Sequence, residues 1–227
     1  MFSLKIEDIA KFKKITAFMK SFANECVLSV NQYGMHVKCK SDSNMFVLQV
    51  TTHELKIKPG ESFELTVDTE QFHKTINSLV GAYEFAYDTI GELTIQNSYS
   101  SYCIKLIDLE EVIEEVCPDM IYEDVQMLDS DKVVAGIKSA GDVGDSFVFN
   151  SAMMLHIISK FCNSHVYFKL EVEPTSQVSY ELSRKQLGYV SKLSKLNKKV
   201  NLSLSASHPM RVIVLAETVG VATLYLQ

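Results

Sequence analysis

The chain has 227 residues, 47% of them apolar, with 28 acidic against 22 basic side chains and a formal net charge of −6. That composition is too apolar for a disordered chain, and the length accommodates two domains of about 100 residues each. No apolar run approaches the ~18 residues of a membrane span, and the start Met1-Phe-Ser-Leu-Lys-Ile-Glu-Asp lacks a signal-peptide core, so a soluble, intracellular protein without membrane contact is expected.

Taken in chain order, the first periodic segment is a helix over residues 8–21. Ile9, Phe12, Ile15, Met19 and Phe22 recur at steps of three or four, and Ala10, Lys13, Ala17 and Lys20 form another face. Strands rich in Val, Ile and Phe follow at 26–30, 35–40, 45–50, 54–58 and 63–67, with turns at Gly34 and Pro59-Gly60. A second helix over 68–80 opens on Asp68-Thr-Glu-Gln, buries Phe72, Ile76 and Leu79, and leaves Lys74 outside. Strands at 83–87, 93–96 and 102–106 complete the first half.

Next comes a run without a single base. Ten carboxylates and no basic residue lie between Lys105 and Lys132. A third helix starts from an Asp129-Ser-Asp cap, buries Val133, Val134, Ile137 and Ala140, and turns Lys132 and Lys138 outward. Strands are expected at 145–150, 155–160, 165–172 and 177–182. A fourth helix over 183–196 buries Leu187, Val190 and Leu196, while Lys185, Gly188, Lys192 and Lys195 share another face. Strands at 200–206, 211–215 and 222–226 end the chain, with a turn at His208-Pro209.

Each half therefore reads helix, strands, helix, strands. Layer packing makes this an α+β protein of two similar domains, each an antiparallel sheet backed by two helices. The boundaries fall at 1–106 and 123–227, joined by an acidic connector at 107–122.

Catalytic signatures are missing. The phosphate-cradling Gly-x-x-x-x-Gly-Lys, the nucleophile Gly-x-Ser-x-Gly and the zinc-binding His-Glu-x-x-His do not occur. Consecutive acids such as Glu110-Glu111 and Glu114-Glu115, with no histidine nearby, fit a solvated strap better than an acid–base or metal site. Five dispersed cysteines, never in Cys-x-x-Cys spacing, read as reduced apolar side chains. No enzyme activity, metal or cofactor is expected.

The lysines say more. Lys13/Lys20 and Lys185/Lys192 are each seven residues apart, nearly on one azimuth, with the small Ala17 and Gly188 between them. From Ser183 to Lys199 there are six bases and no acid. Lysine outnumbers arginine twenty to two, whereas reading base edges favours the planar arginine fork. Either these are ordinary solvated faces, or together they form a surface that meets a duplex backbone without reading sequence.

Across nearly its whole length the chain resembles DNA sliding clamps of the proliferating cell nuclear antigen (PCNA) type. The carriers are the Met1-Phe start, the helix with Lys13, Lys14 and Lys20, and Gly34 followed by Ser41-Asp-Ser. To these are added Lys105-Leu-Ile-Asp-Leu-Glu with Pro118 and Tyr122, Asp142-Val-Gly-Asp-Ser, Val200-Asn-Leu-Ser-Leu-Ser-Ala-Ser-His-Pro-Met, and the stretch from Gly220 through Leu224-Tyr-Leu. The resemblance implies a clamp fold assembling into a ring, a homotrimer whose helices line a hole holding duplex DNA. It implies a non-enzymatic processivity factor for DNA polymerases, loaded by an ATP-dependent clamp loader, serving replication and repair, and nuclear in a eukaryote. Lys13, Lys14, Lys20, Lys74, Lys138, Lys185 and Lys192 match channel-facing basic positions. Met45, Val47, Cys117, Pro118, Pro209 and Tyr225 match the pocket for partners' clamp-binding motifs. Departures are a second domain shortened between Asn150 and Glu171, Asn77 and Ala135 at commonly basic positions, and Lys40 beside the pocket. The shortening keeps two alternatives open: a subunit of a heterotrimeric, checkpoint-type clamp, or a clamp-fold scaffold that does not encircle DNA.

Overall fold

The computed structural model describes residues 1–51, 54–87, 91–108, 120–142, 146–150, 156–161, 164–169 and 178–227. They divide into two units, Met1–Glu115 with Ala216–Ala222, and Val116–Leu215 with Thr223–Gln227.

In the first unit the order is β1 (Phe2–Ile6), α1 (Ile9–Phe22), β2 (Glu25–Asn31), β3 (Gly34–Ser41), β4 (Asn44–Val50), β5 (Leu55–Ile57), β6 (Phe63–Asp68), α2 (Thr69–Ser78), β7 (Tyr83–Tyr87), β8 (Glu92–Gln96) and β9 (Ser101–Lys105). Antiparallel pairing arranges these strands as β5-β1-β7-β8-β9 and as β4-β3-β2-β6. In the second unit the order is β10 (Asp124–Asp129), α3 (Ser130–Gly141), β11 (Ser146–Asn150), β12 (His156–Phe161), β13 (Ser164–Lys169), β14 (Ser179–Ser183), α4 (Arg184–Ser194), β15 (Lys199–Leu204), β16 (Met210–Leu215) and β17 (Gly220–Leu226), the last of which belongs to the first unit as far as Ala222. Its strands run β10-β15-β16-β17 and β13-β12-β11-β14. The two units repeat one plan, since the opening strand pairs in each case with the strand that follows the second helix.

The predicted α+β class and all four helices are present, with a correction to the order. A strand, not a helix, opens each unit. In β1 the alternation of Phe2, Leu4 and Ile6, all buried, with the partly exposed Ser3 and Lys5 is a plain strand pattern. In β10 the pattern is mixed: Asp124 is buried on the same side as Leu128, at 1% and 4% exposure, while Val125 and Met127 are 55% and 68% exposed. Residues 170–177, part of two predicted strands, lie outside the described residues, and among the described residues β13 stands at the edge of its sheet, between Asn150 and Glu171.

Each helix starts where an oxygen-bearing side chain captures orphan N–H groups. Asp8 accepts from Lys11 N–H, Asp68 from Gln71 N–H, and Asp129 from Asp131 and Lys132 N–H. Ser183 and Gln186 make a reciprocal capping box. Below the helices the core is apolar. Phe12 meets Phe72 and Phe85 edge-on at 6.2 and 5.9 Å, tying α1 to α2 and to β7, and Phe18 packs on Phe46 at 4.8 Å. Leu187, Val190 and Leu193 of α4 and Val133, Ile137 and Ala140 of α3 do the same work in the second unit.

Candidate functional site

With apolar stripes turned to the sheets, the remaining faces of the helices are polar. On α1 the exposed residues are Ala10, Lys14, Ala17, Lys20 and Ser21, with Lys13 half-buried. On α2 they are Glu70, Gln71, Lys74, Asn77 and Ser78. In the second unit α3 exposes Asp131, Lys132, Ala135, Lys138 and Ser139, and α4 exposes Arg184, Lys185 and Lys192, with Lys195 exposed at its C-cap. All seven lysines singled out in the sequence therefore stand on helix faces turned away from the sheets, six of them exposed.

The two units hold their cations differently. Lys13 Nζ donates to the Leu79 carbonyl at 2.7 Å, at the C-terminal end of α2, where the helix dipole favours a positive charge. Glu70 lies between Lys20 at 3.2 Å and Lys74 at 3.0 Å, and their ammonium groups hold its carboxyl below the ordinary range. His73, next along α2, shares a hydrogen bond with Thr16 at 3.0 Å, and burial together with Lys20 lowers its pKa. The α1–α2 face thus keeps much of its positive charge engaged internally. On α4, from Arg184 to Ser194, there is no acid at all. Lys185 lies 5.9 Å from the Tyr189 ring centroid.

The residues expected at the partner pocket are placed as follows. Met45 is 2% exposed on β4, and Val47, half-buried on the same strand, pairs with Lys38. Cys117 and Pro118 lie outside the described residues, as does most of the acidic connector. In the second unit Pro209 and Tyr225 are both half-buried, Tyr225 at an outward position of the alternating strand β17.

Around Pro209 is a polar–aromatic cluster that sequence reasoning did not assemble. Tyr122 donates its hydroxyl to the Pro209 carbonyl at 3.0 Å, and the Arg211 guanidinium stacks over the Tyr122 ring at 4.1 Å. Burial pushes the Tyr122 phenol up to about 12, opposed by Arg211 and reinforced by Tyr225. Tyr180 receives the Ser205 N–H at 2.8 Å and has the His208 carbonyl 3.0 Å from its hydroxyl, holding the turn before Pro209. The sequence offered Tyr122 and Pro209 separately, and only tertiary structure joins residues so far apart.

Among the described residues no group of three or more His, Cys, Asp or Glu side chains could hold a metal ion, and no helix is long and apolar enough to cross a membrane.

No protein-family model matches the chain, and no curated protein matches it in sequence. Structure gives a different result. The crystal structure of proliferating cellular nuclear antigen from Entamoeba histolytica is similar over 99% of this chain and 97% of that one, with a TM-score of 0.84 at 19% sequence identity. The element order, the repeated strand plan and the four helices are those of that fold: the chain has the PCNA-type clamp fold.

Proposed function

We propose that the protein is a DNA sliding clamp, a non-enzymatic processivity factor that encircles duplex DNA. The observation that carries this reading is the array of lysines on the outward faces of all four helices of a clamp fold. A sheet-outside, helix-inside ring puts those faces around a duplex, and ammonium point charges meet phosphates without selecting sequence. Lys138 and Lys192, both exposed, carry much of the contact in this reading, because Lys13, Lys20 and Lys74 have internal partners.

Ring closure needs an unpaired strand at each end of the subunit. β9 and β13 are edge strands of their sheets among the described residues, and β9 presents an exposed Cys103 and a Tyr102 at 36% exposure. We read these edges as the joint of a homotrimer. A ring closed by such joints requires an ATP-dependent loader to open it on DNA without ends. On its outer side, Val47, Pro209 and Tyr225, with Met45, Cys117 and Pro118, serve polymerases and other proteins bearing a clamp-binding motif. In a eukaryotic cell the place of work is the nucleus.

Glu70 gives a direct test of the electrostatic part. E70Q removes the charge that engages Lys20 and Lys74, so the slope of log affinity against log salt for short linear duplex should steepen by about one. Exposed ion pairs contribute little to stability, and the thermal midpoint should hardly move. A slope equal to that of the native chain would show that the α1–α2 face does not approach the duplex.

A further inference from the structure

We propose that Cys26 and Cys39 are a disulfide-forming pair, a covalent staple between β2 and β3 made by exchange with a low-molecular-weight disulfide. Both side chains are fully buried and both thiols are free. The β2–β3 register pairs Val27 with Lys38, and one further step in the same register sets Cys26 against Cys39. Alternation agrees: Leu28 with Val37, the next pair on that side, is also buried. Directly opposed residues on antiparallel strands have Cα atoms about 4.5–5.5 Å apart, inside the range a disulfide spans.

The two thiols interact directly, and burial raises the Cys39 pKa well above its ordinary value. A thiol held protonated inside a core is a poor nucleophile, so exchange proceeds while the strands are open rather than in the closed sheet. One cysteine thiolate attacks the small disulfide, releasing one thiol and leaving a mixed disulfide. The other cysteine then displaces the second small thiol, closing the Cys26–Cys39 bond. Two protein hydrogens are lost and one small disulfide is reduced to two thiols. The bond would reach the strand proposed to meet partners, since Cys39 pairs with Phe46, between Met45 and Val47 on β4.

The test is refolding from denaturant in a glutathione buffer rich in the oxidised form, then alkylation and trypsin. Cleavage after Lys20, Lys38 and Lys40 puts the two cysteines on separate peptides, residues 21–38 and 39–40. A disulfide-linked pair of those peptides is expected, absent from C39S and split by dithiothreitol. Native protein held in the same buffer should form the link more slowly than refolding chains. Recovery of both cysteines alkylated, as separate glutathione adducts, or joined to other cysteines would overturn the proposal.

Discussion

Replacing Lys138 and Lys192 together with alanine should lower the salt dependence of duplex binding more, per lysine, than replacing Lys13, Lys20 and Lys74. Each lysine that meets a phosphate displaces a condensed counterion, worth about 0.9 in the slope of log affinity against log salt, so the first variant should lose up to about 2 per chain. The second should lose less per lysine, because the Leu79 carbonyl holds Lys13 and Glu70 sits between Lys20 and Lys74. Both second-unit lysines are exposed, so alanine removes charge without opening the core. Loss should be uniform across DNA sequences, since point charges on phosphates carry no base information. Titration of short linear duplexes at several salt concentrations measures the slope. Equal slopes for the native chain and the first variant would mean that α3 and α4 do not face DNA.

Substituting Gly220 with alanine should be the most damaging single change to the fold. Gly220 begins β17 with φ +143°, a backbone conformation that side-chain-bearing residues rarely adopt. A Cβ there would stand 1.9 Å from the Gln49 carbonyl oxygen and 3.0 Å from Thr51 N, backbone atoms that cannot swing aside. The close approach is fixed on either side, by Thr51 N–H donating to the Val219 carbonyl at 2.9 Å and Ala216 N–H to the Gly220 carbonyl at 2.7 Å. Relieving the clash would separate β4 from the returning segment, at a cost on the order of 4 kcal/mol or more. Gly60 supplies the control: it also has positive φ, at +81°, but open space around it, so G60A should cost only about 1–2 kcal/mol. Urea unfolding of the two variants compares them, and equal losses would refute the steric argument.

Much of the fold was legible because its signals are local. The four helices announce themselves by apolar steps of three and four, and the Asp68 and Asp129 openings read in the sequence are caps the structure uses. The strand β10 was not legible, because its exposed side carries Val125 and Met127 and its buried side Asp124. Alternation encodes a strand's faces only when solvent and core impose opposite chemistry on them. The lysines were legible as faces, but their availability was not. Glu70 four residues before Lys74 is a readable pair, whereas Lys20 and Leu79 reach α2 and α1 only through helix packing. Tyr122, Pro209 and Arg211 come together through a stack and a hydrogen bond across the chain, for which one sequence holds no sign.

Encirclement itself is tested most directly by retention on DNA with and without ends. The protein is loaded with an ATP-dependent clamp loader onto nicked circular duplex, and the complex is passed through gel filtration at high salt. A ring of three 25.6-kDa chains should stay with the circle and be lost once a restriction cut makes the DNA linear. High salt suppresses phosphate contacts, so only topology can hold the protein there. Equal retention on circular and linear DNA, or release from the circle by an assembled trimer, would contradict the account.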